Sequence, residues 1–290
     1  MKKQLATILL AGTLALGGCS ANEAGSNEEA PAATTNTNGI GAGNDAPKVE
    51  NWDAITEEYR QFAISQADTF VIETDKFVKA VKDGDVEGAK ALYAPTRMYF
   101  ERIEPIAEAL GDFDPNIDAR ENDVEDKDWR GFHRIEKSLW EQGSTEGMDE
   151  YADRLLQDVQ LLRALMETVE VKPAMLVTGA VELLNEVSSS KVTGEEERYS
   201  HTDLYDFAAN VEGAKKIYEL VQTELADHDA ELNKQIGDAF ANLEASLATY
   251  KNGEGYVSYL DLKQEDTKKL SQLLDALAEP LSQMGSILGA

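Results

Sequence analysis

The chain has 290 residues, with 27 Lys and Arg against 55 Asp and Glu and a formal net charge of −28. That balance sets nucleic acid and anionic lipid surfaces aside as partners, because both repel it, and the excess carboxylate points to cations or to a basic protein surface. The single cysteine, Cys19, rules out a disulfide framework and a cysteine metal site.

Residues 1–18 read as a lipoprotein signal peptide. Lys2 and Lys3 precede a largely apolar run from Leu5 to Leu16 that is too short to span a membrane permanently, and Leu16, Gly17 and Gly18 form a small-residue cleavage site just before Cys19. Cys19 is then the lipidated N-terminus, anchoring the protein on the extracytoplasmic face of the cell membrane. Residues 19–48 hold Asn, Ala, Gly, Thr, Ser and Glu with almost no large apolar side chain. Such a segment cannot bury enough surface to offset its ordering, so it reads as a disordered polar tether. The folded body is 49–290.

The body is rich in Ala, Leu, Glu, Lys and Gln and shows almost no alternation of period two, which predicts an all-α fold. Helices are expected over 50–82, 85–109, 129–140, 148–170, 173–189, 201–227, 229–250 and 264–289. Over 201–227, Leu204, Phe207, Ala208, Val211, Ala214, Ile217, Tyr218 and Val221 recur at three and four, a wide apolar stripe suited to a bundle. Breaks fall at Gly84, across 111–128, across 142–147, at Pro173 and across 251–255. Pro95 and Pro105 predict a helix that starts near the first and is kinked or ended near the second. Short connections between the helices predict two antiparallel four-helix bundles packed side by side.

Two pairs of residues stand out chemically. His133 and Glu136 lie three apart on one helical face, and an imidazole beside a carboxylate is half of a transition-metal site. Upstream, Glu101 and Glu104 repeat the spacing, so two helices could each present a pair to one ion. Asp118 and Asp123 on the acidic connection, or Glu196 or Glu197 from a later loop, could close the shell. Alone, each pair equally reads as a solvated helix face. The neighbouring Tyr93, Tyr99, Phe100, Trp129, Phe132 and Trp140 predict partial burial, and a buried carboxylate needs a cation, an arginine or a proton. His201 and His228 begin no motif of ligand spacing. There is no His-Glu-x-x-His, the inverted zinc motif fails at Lys137, and neither a serine nucleophile elbow nor a Gly-rich phosphate loop occurs. The residues favour holding a cation over cutting a bond.

Several segments together resemble the EfeO/EfeM family within the imelysin-like (imelysin peptidase-like) superfamily: Tyr93 to Arg97 with Glu101 and Glu104, Ile117 to Arg120, Trp129 to Trp140, and Ser188 to Lys191 leading to Gly194 through Leu204. The resemblance implies two four-helix bundles and a non-enzymatic role as the extracytoplasmic iron-binding component of an elemental iron uptake system. It implies an EfeU-type membrane permease and an EfeB-type haem peroxidase as partners. It also implies a metal site at His133 and Glu136, accompanied by Glu101, Glu104, Asp118 and Glu196. Longer EfeO proteins carry a cupredoxin domain, for which this sequence has only the polar tether, so a copper-dependent oxidation within this polypeptide is not expected. The cargo is iron as Fe(III) or Fe(II), and one imidazole among carboxylates also accepts Zn(II) or Cu(II). Two rival readings are a cation-dependent binding protein for an acidic polysaccharide and an imelysin-type metallopeptidase.

Overall fold

The computed structural model describes residues 49–107, 111, 113–189 and 191–290. The signal peptide, the lipidated Cys19 and the tether lie outside the described residues. Ten helices follow in order among those described: α1 Trp52–Lys82, α2 Val86–Glu101, α3 Glu104–Ala107, α4 Phe113–Ile117, α5 Phe132–Lys137, α6 Asp149–Met166, α7 Pro173–Ser189, α8 Asp203–His228, α9 Ala230–Leu247 and α10 Gln264–Leu288. The only strands among the described residues are β1 Lys251–Asn252 and β2 Gly255–Tyr256, an antiparallel hairpin in which Lys251 pairs with Tyr256. The all-α class is as expected.

Packing follows the apolar stripes. On α1, Ile55, Tyr59, Ala63, Ala67, Phe70, Thr74, Phe77 and Val81 recur at three and four and are buried, and this face lies against α2 and α6. Lys82 reaches Asp153 while Arg163 reaches Asp68, so α1 and α6 run antiparallel. Helices α7, α8, α9 and α10 pack against one another, and α2 crosses to α8. Helix α8 is therefore covered on several sides. Asp203, Asp206 and Asn210 are buried on it beside Leu204, Phe207 and Val211.

Two expectations about local structure need correction. Helix α2 does not start near Pro95 but at Val86, where the Asp85 side chain accepts from the Gly88 amide at 2.9 Å. It runs through Pro95, because burial of Ala94, Thr96 and Arg97 outweighs the one hydrogen bond that proline forfeits. The helix does end before Pro105, and Arg102 and Ile103 separate it from α3. The helix expected over 129–140 begins only at Phe132 and turns into a π-helical segment, Ser138–Gln142. Gly131 explains its start: at φ +90° and ψ −164° it cannot be helical.

Glycine is required there for a second reason, since a Cβ on Gly131 would overlap the Ile117 carbonyl oxygen. This close approach sets the residue after Ile117, Asp118, beside the first turn of α5. Phe132 fixes that turn from the other side, with its ring 5.8 Å from Phe70, 5.4 Å from Phe77 and 6.0 Å from Tyr93. Likewise a Cβ on Gly213 would meet the Arg102 carbonyl, so α8 passes tightly against the end of α2. We expect Gly131→Ala to destabilise the protein by about 2–4 kcal/mol, combining backbone strain at positive φ with a clash against main chain. The urea midpoint measures this. An unchanged midpoint would mean that the two segments do not need the close approach.

Candidate metal centre

Six segments contribute buried side chains to the cluster around His133. Helix α2 brings Arg97 and Glu101 on its last turns, and α3 opens with Glu104. The connection after α4 brings Asp118, and α5 brings His133 and Glu136. The segment between α7 and α8 brings Lys191, Glu196 and Glu197, while the first turns of α8 add Asp203, Asp206 and Asn210. All of these side chains are buried. Near this point the carboxylates Glu101, Glu104, Asp118, Glu136, Glu196, Glu197, Asp203 and Asp206 face, among the described residues, only Arg97, Lys191 and the imidazole as buried cationic groups. An interior so short of positive charge must take up protons or a cation.

The imidazole divides this cluster in two. On one side, His133 Nδ1 lies 3.0 Å from Glu136 Oε2 and 3.3 Å from Tyr93 Oη. Glu136 Oε1 accepts the backbone amides of Tyr199 at 3.0 Å and Ser200 at 2.8 Å. Burial works to raise the Glu136 pKa, but His133 and the Ser200 amide prevail and hold it at about 2. Both oxygens of Glu136 are thus engaged. On the other side, His133 Nε2 is buried without a hydrogen-bond partner and faces Asp118 Oδ1 at 3.7 Å and Glu196 Oε1 at 4.0 Å.

Ligand-capable atoms of Asp118, His133 and Glu196 all lie within 4.8 Å of one another, and so do those of His133, Glu136 and Glu197. The first group is the better cage. Its nitrogen is unspent, whereas the nitrogen of the second is already held by Glu136. An Nδ1–H given to that carboxylate aims Nε2 at Asp118 and Glu196, where loss of the Nε2 proton frees a lone pair for an ion, as an outer carboxylate commonly orients a metal-binding histidine. Asp118 and Glu196 also line an acidic cavity of about 140 Å³, together with Asp114, Asp123 and Glu186. Arg120 steadies Glu196 from the rim, donating to its Oε2 at 2.7 Å.

Glu101 and Glu104 meet a different environment. Lys191 Nζ donates to Glu101 Oε2 at 2.9 Å and to Glu104 Oε2 at 3.2 Å, and Asn210 Nδ2 donates to the same two oxygens at 2.9 and 2.8 Å. Arg97 adds a contact to Glu101 at 2.7 Å. Burial acts to raise the Glu101 pKa, yet the Lys191 and Arg97 charges take it down to about 2, while burial and the Glu101 charge push Glu104 well up. The pair therefore sits in a cage of protein donors and belongs to neither group around His133. Burial and the Glu136 charge also lift the Glu197 pKa to about 8 against the pull of Arg97.

Sequence reasoning brought out His133, Glu136, Asp118 and Glu196, and missed the residues that balance them: Arg97, Lys191, Asp206 and Asn210. A signal existed for two of these. Asp206 and Asn210 stand four apart, in phase with the buried stripe of α8, where a polar residue requires a buried partner.

Residues 55–284 match the imelysin family model, Peptidase_M75. A protein of Staphylococcus haemolyticus (strain JCSC1435), described as an Efem/EfeO family lipoprotein, is 43% identical over 296 residues, covering 98% of this chain and 99% of its own. A protein of Staphylococcus aureus (strain NCTC 8325 / PS 47) with the same description is 45% identical over 238 residues, covering 80% of this chain and 84% of its own.

Proposed function

Since the chain belongs to the imelysin family and to the Efem/EfeO lipoproteins within it, we propose that it is the lipid-anchored, extracytoplasmic iron-binding component of an elemental iron uptake system. It takes an iron ion at His133 Nε2, Asp118 and Glu196, and hands it to an EfeU-type permease that works with an EfeB-type haem peroxidase. The observation that carries this reading is the buried, unpartnered Nε2 facing two carboxylates that line an acidic cavity. Carboxylates are hard ligands and the imidazole is intermediate, a set that suits iron in either oxidation state and leaves Zn(II) and Cu(II) as competitors. Attachment is assigned to the lipid on Cys19, from the leader and cleavage site that precede it in the sequence; among the described residues no helix is long and apolar enough to cross a membrane.

A binding role is favoured over the peptidase activity that the family's name carries. Glu136, the carboxylate nearest the imidazole, spends both oxygens on His133 and on backbone amides, and so offers no free base for activating water.

Delivery requires release, and the site has a proton-linked means of it. Burial and Arg97 act to lower the His133 pKa, but Glu136, Asp118 and Glu197 outweigh them and raise it to about 9 from 6.5. In the metal-free protein the ring is therefore protonated at neutral pH, and an ion must displace that proton to bind. Calorimetric titration of the purified protein with Fe(II), without oxygen, should give one ion bound and about one proton released at pH 7. Affinity should climb about tenfold per pH unit up to about pH 9 and flatten above it. Binding that is absent, or indifferent to pH over this window, would count against the site.

A further inference from the structure

We infer that Arg97 sets the charge selectivity of this site, acting as a built-in cation that disfavours a trivalent ion more than a divalent one. The inference rests on the iron-binding reading above and adds a residue that touches one ligand, Asp118, without being a ligand itself. Arg97 is fully buried, with Nη1 against Asp118 Oδ1 and Nη2 3.4 Å from Asp118 Oδ2. Its Nη2 also meets Glu101 at 2.7 Å, and its Nε meets Glu197 at 2.7 Å and Asp206 at 3.5 Å. The rings of Tyr93 and Phe132 each have their centroids 5.8 Å from the guanidinium carbon. The group is thus held from several sides and cannot swing out to water.

Asp118 Oδ1 is the shared atom, since it touches Arg97 and also lies 3.7 Å from His133 Nε2. An ion bound at Nε2 divides that carboxylate with the guanidinium. Repulsion between the ion and Arg97 scales with the ion's charge, so a trivalent ion feels half as much again as a divalent one, in surroundings that screen poorly. Lys191 already neutralises the Glu101 and Glu104 pair. Arg97 shares its charge with Glu101, Glu197 and Asp206, and Asp118 is the contact through which that charge reaches the ligand side of the cluster. A planar guanidinium can engage Asp118, Glu101 and Glu197 together, which a lysine's point charge cannot.

The test compares affinities for Ga(III), a redox-inert ion of ferric charge, and Zn(II), both buffered by nitrilotriacetate, on the purified full chain. In Arg97→Met the ratio of Ga(III) to Zn(II) affinity should rise on the order of tenfold. Losing one partner of a buried ion network can prevent folding. The double variant Arg97→Met with Glu101→Gln removes a positive and a negative group together and keeps the interior balanced. There the ratio should still rise, though less, because the Glu101 charge that is removed also acts on Asp118 and its loss offsets part of the gain. A ratio unchanged in the double variant, or two affinities that fall by the same factor, overturns the inference and leaves Arg97 a structural counter-ion. If the wild-type protein binds neither ion, the iron-site reading fails and the selectivity role falls with it.

Discussion

His133→Ala should weaken iron binding on the order of 100-fold or more, the largest loss expected of any single substitution around the site. The imidazole is the nitrogen ligand of the Asp118, His133 and Glu196 group, and its Nε2 is the atom of that group that is buried without a hydrogen-bond partner. Glu136→Gln supplies the contrast. If Glu136 orients the ring and does not touch the ion, its amide keeps the size and an acceptor oxygen, and the loss should be about 10–100-fold with the ligand set intact. X-ray absorption on the Zn(II)-loaded proteins separates the cases. The nitrogen shell should vanish in the alanine variant and persist, with the same number of oxygen neighbours, in the glutamine variant. An oxygen lost from the shell in Glu136→Gln would make Glu136 a ligand and move the ion to the Nδ1 side, toward Glu197.

The largest effect on stability should come from Lys191→Met. Lys191 is fully buried and is the principal counter-charge of Glu101 and Glu104, neither of which can turn to water. Removing one member of a buried ion network typically costs about 3–5 kcal/mol, because the charge left behind stays desolvated. Its pH dependence can be worked out from Glu101, whose pKa is lowered from 4.5 to about 2 in the folded protein. Its ion pairing therefore stabilises the wild type above about pH 4.5 and is lost as pH falls toward 2. The deficit of Lys191→Met should be greatest near neutrality and should shrink as the solution is acidified, which urea unfolding across pH 3–7 can follow. Adding Glu101→Gln should recover part of the loss. A variant as stable as the wild type at pH 7 would show that Asn210 and protons suffice to hold the pair.

What could be read from the sequence was what depends on short-range spacing. The stripe over 201–227 predicted α8 because its apolar residues recur at the helical period, and the break at 251–255 appears as the β1–β2 hairpin. Pro95 misled because a proline's local cost is visible in sequence while the burial that offsets it is not. The same division runs through the site. His133 and Glu136 are three apart and could be paired by counting. Asp118 and Glu196 were acidic residues awaiting a location, and only the fold brings them to Nε2. Arg97 is the clearest omission. Four residues before Glu101 it looks like half of an ordinary surface pair, and nothing local shows that Asp118, Glu197 and Asp206 gather around it from other segments. Lys191 was hidden in the same way, since its carboxylates lie on α2 and α3.

The three carboxylate and imidazole positions come from separate stretches of the chain: the turn after α4, the start of α5 and the loop before α8. An ion held by all three ties those stretches at one point, as a covalent staple would. The unfolded chain has no matching point, so a loaded molecule gains resistance to unfolding that grows with the concentration of free ion. With its single cysteine assigned to the anchor, the protein has no disulfide with which to cross-link itself. Its cargo supplies that cross-link while it is carried, and handing the ion on loosens the same three stretches from which it departs.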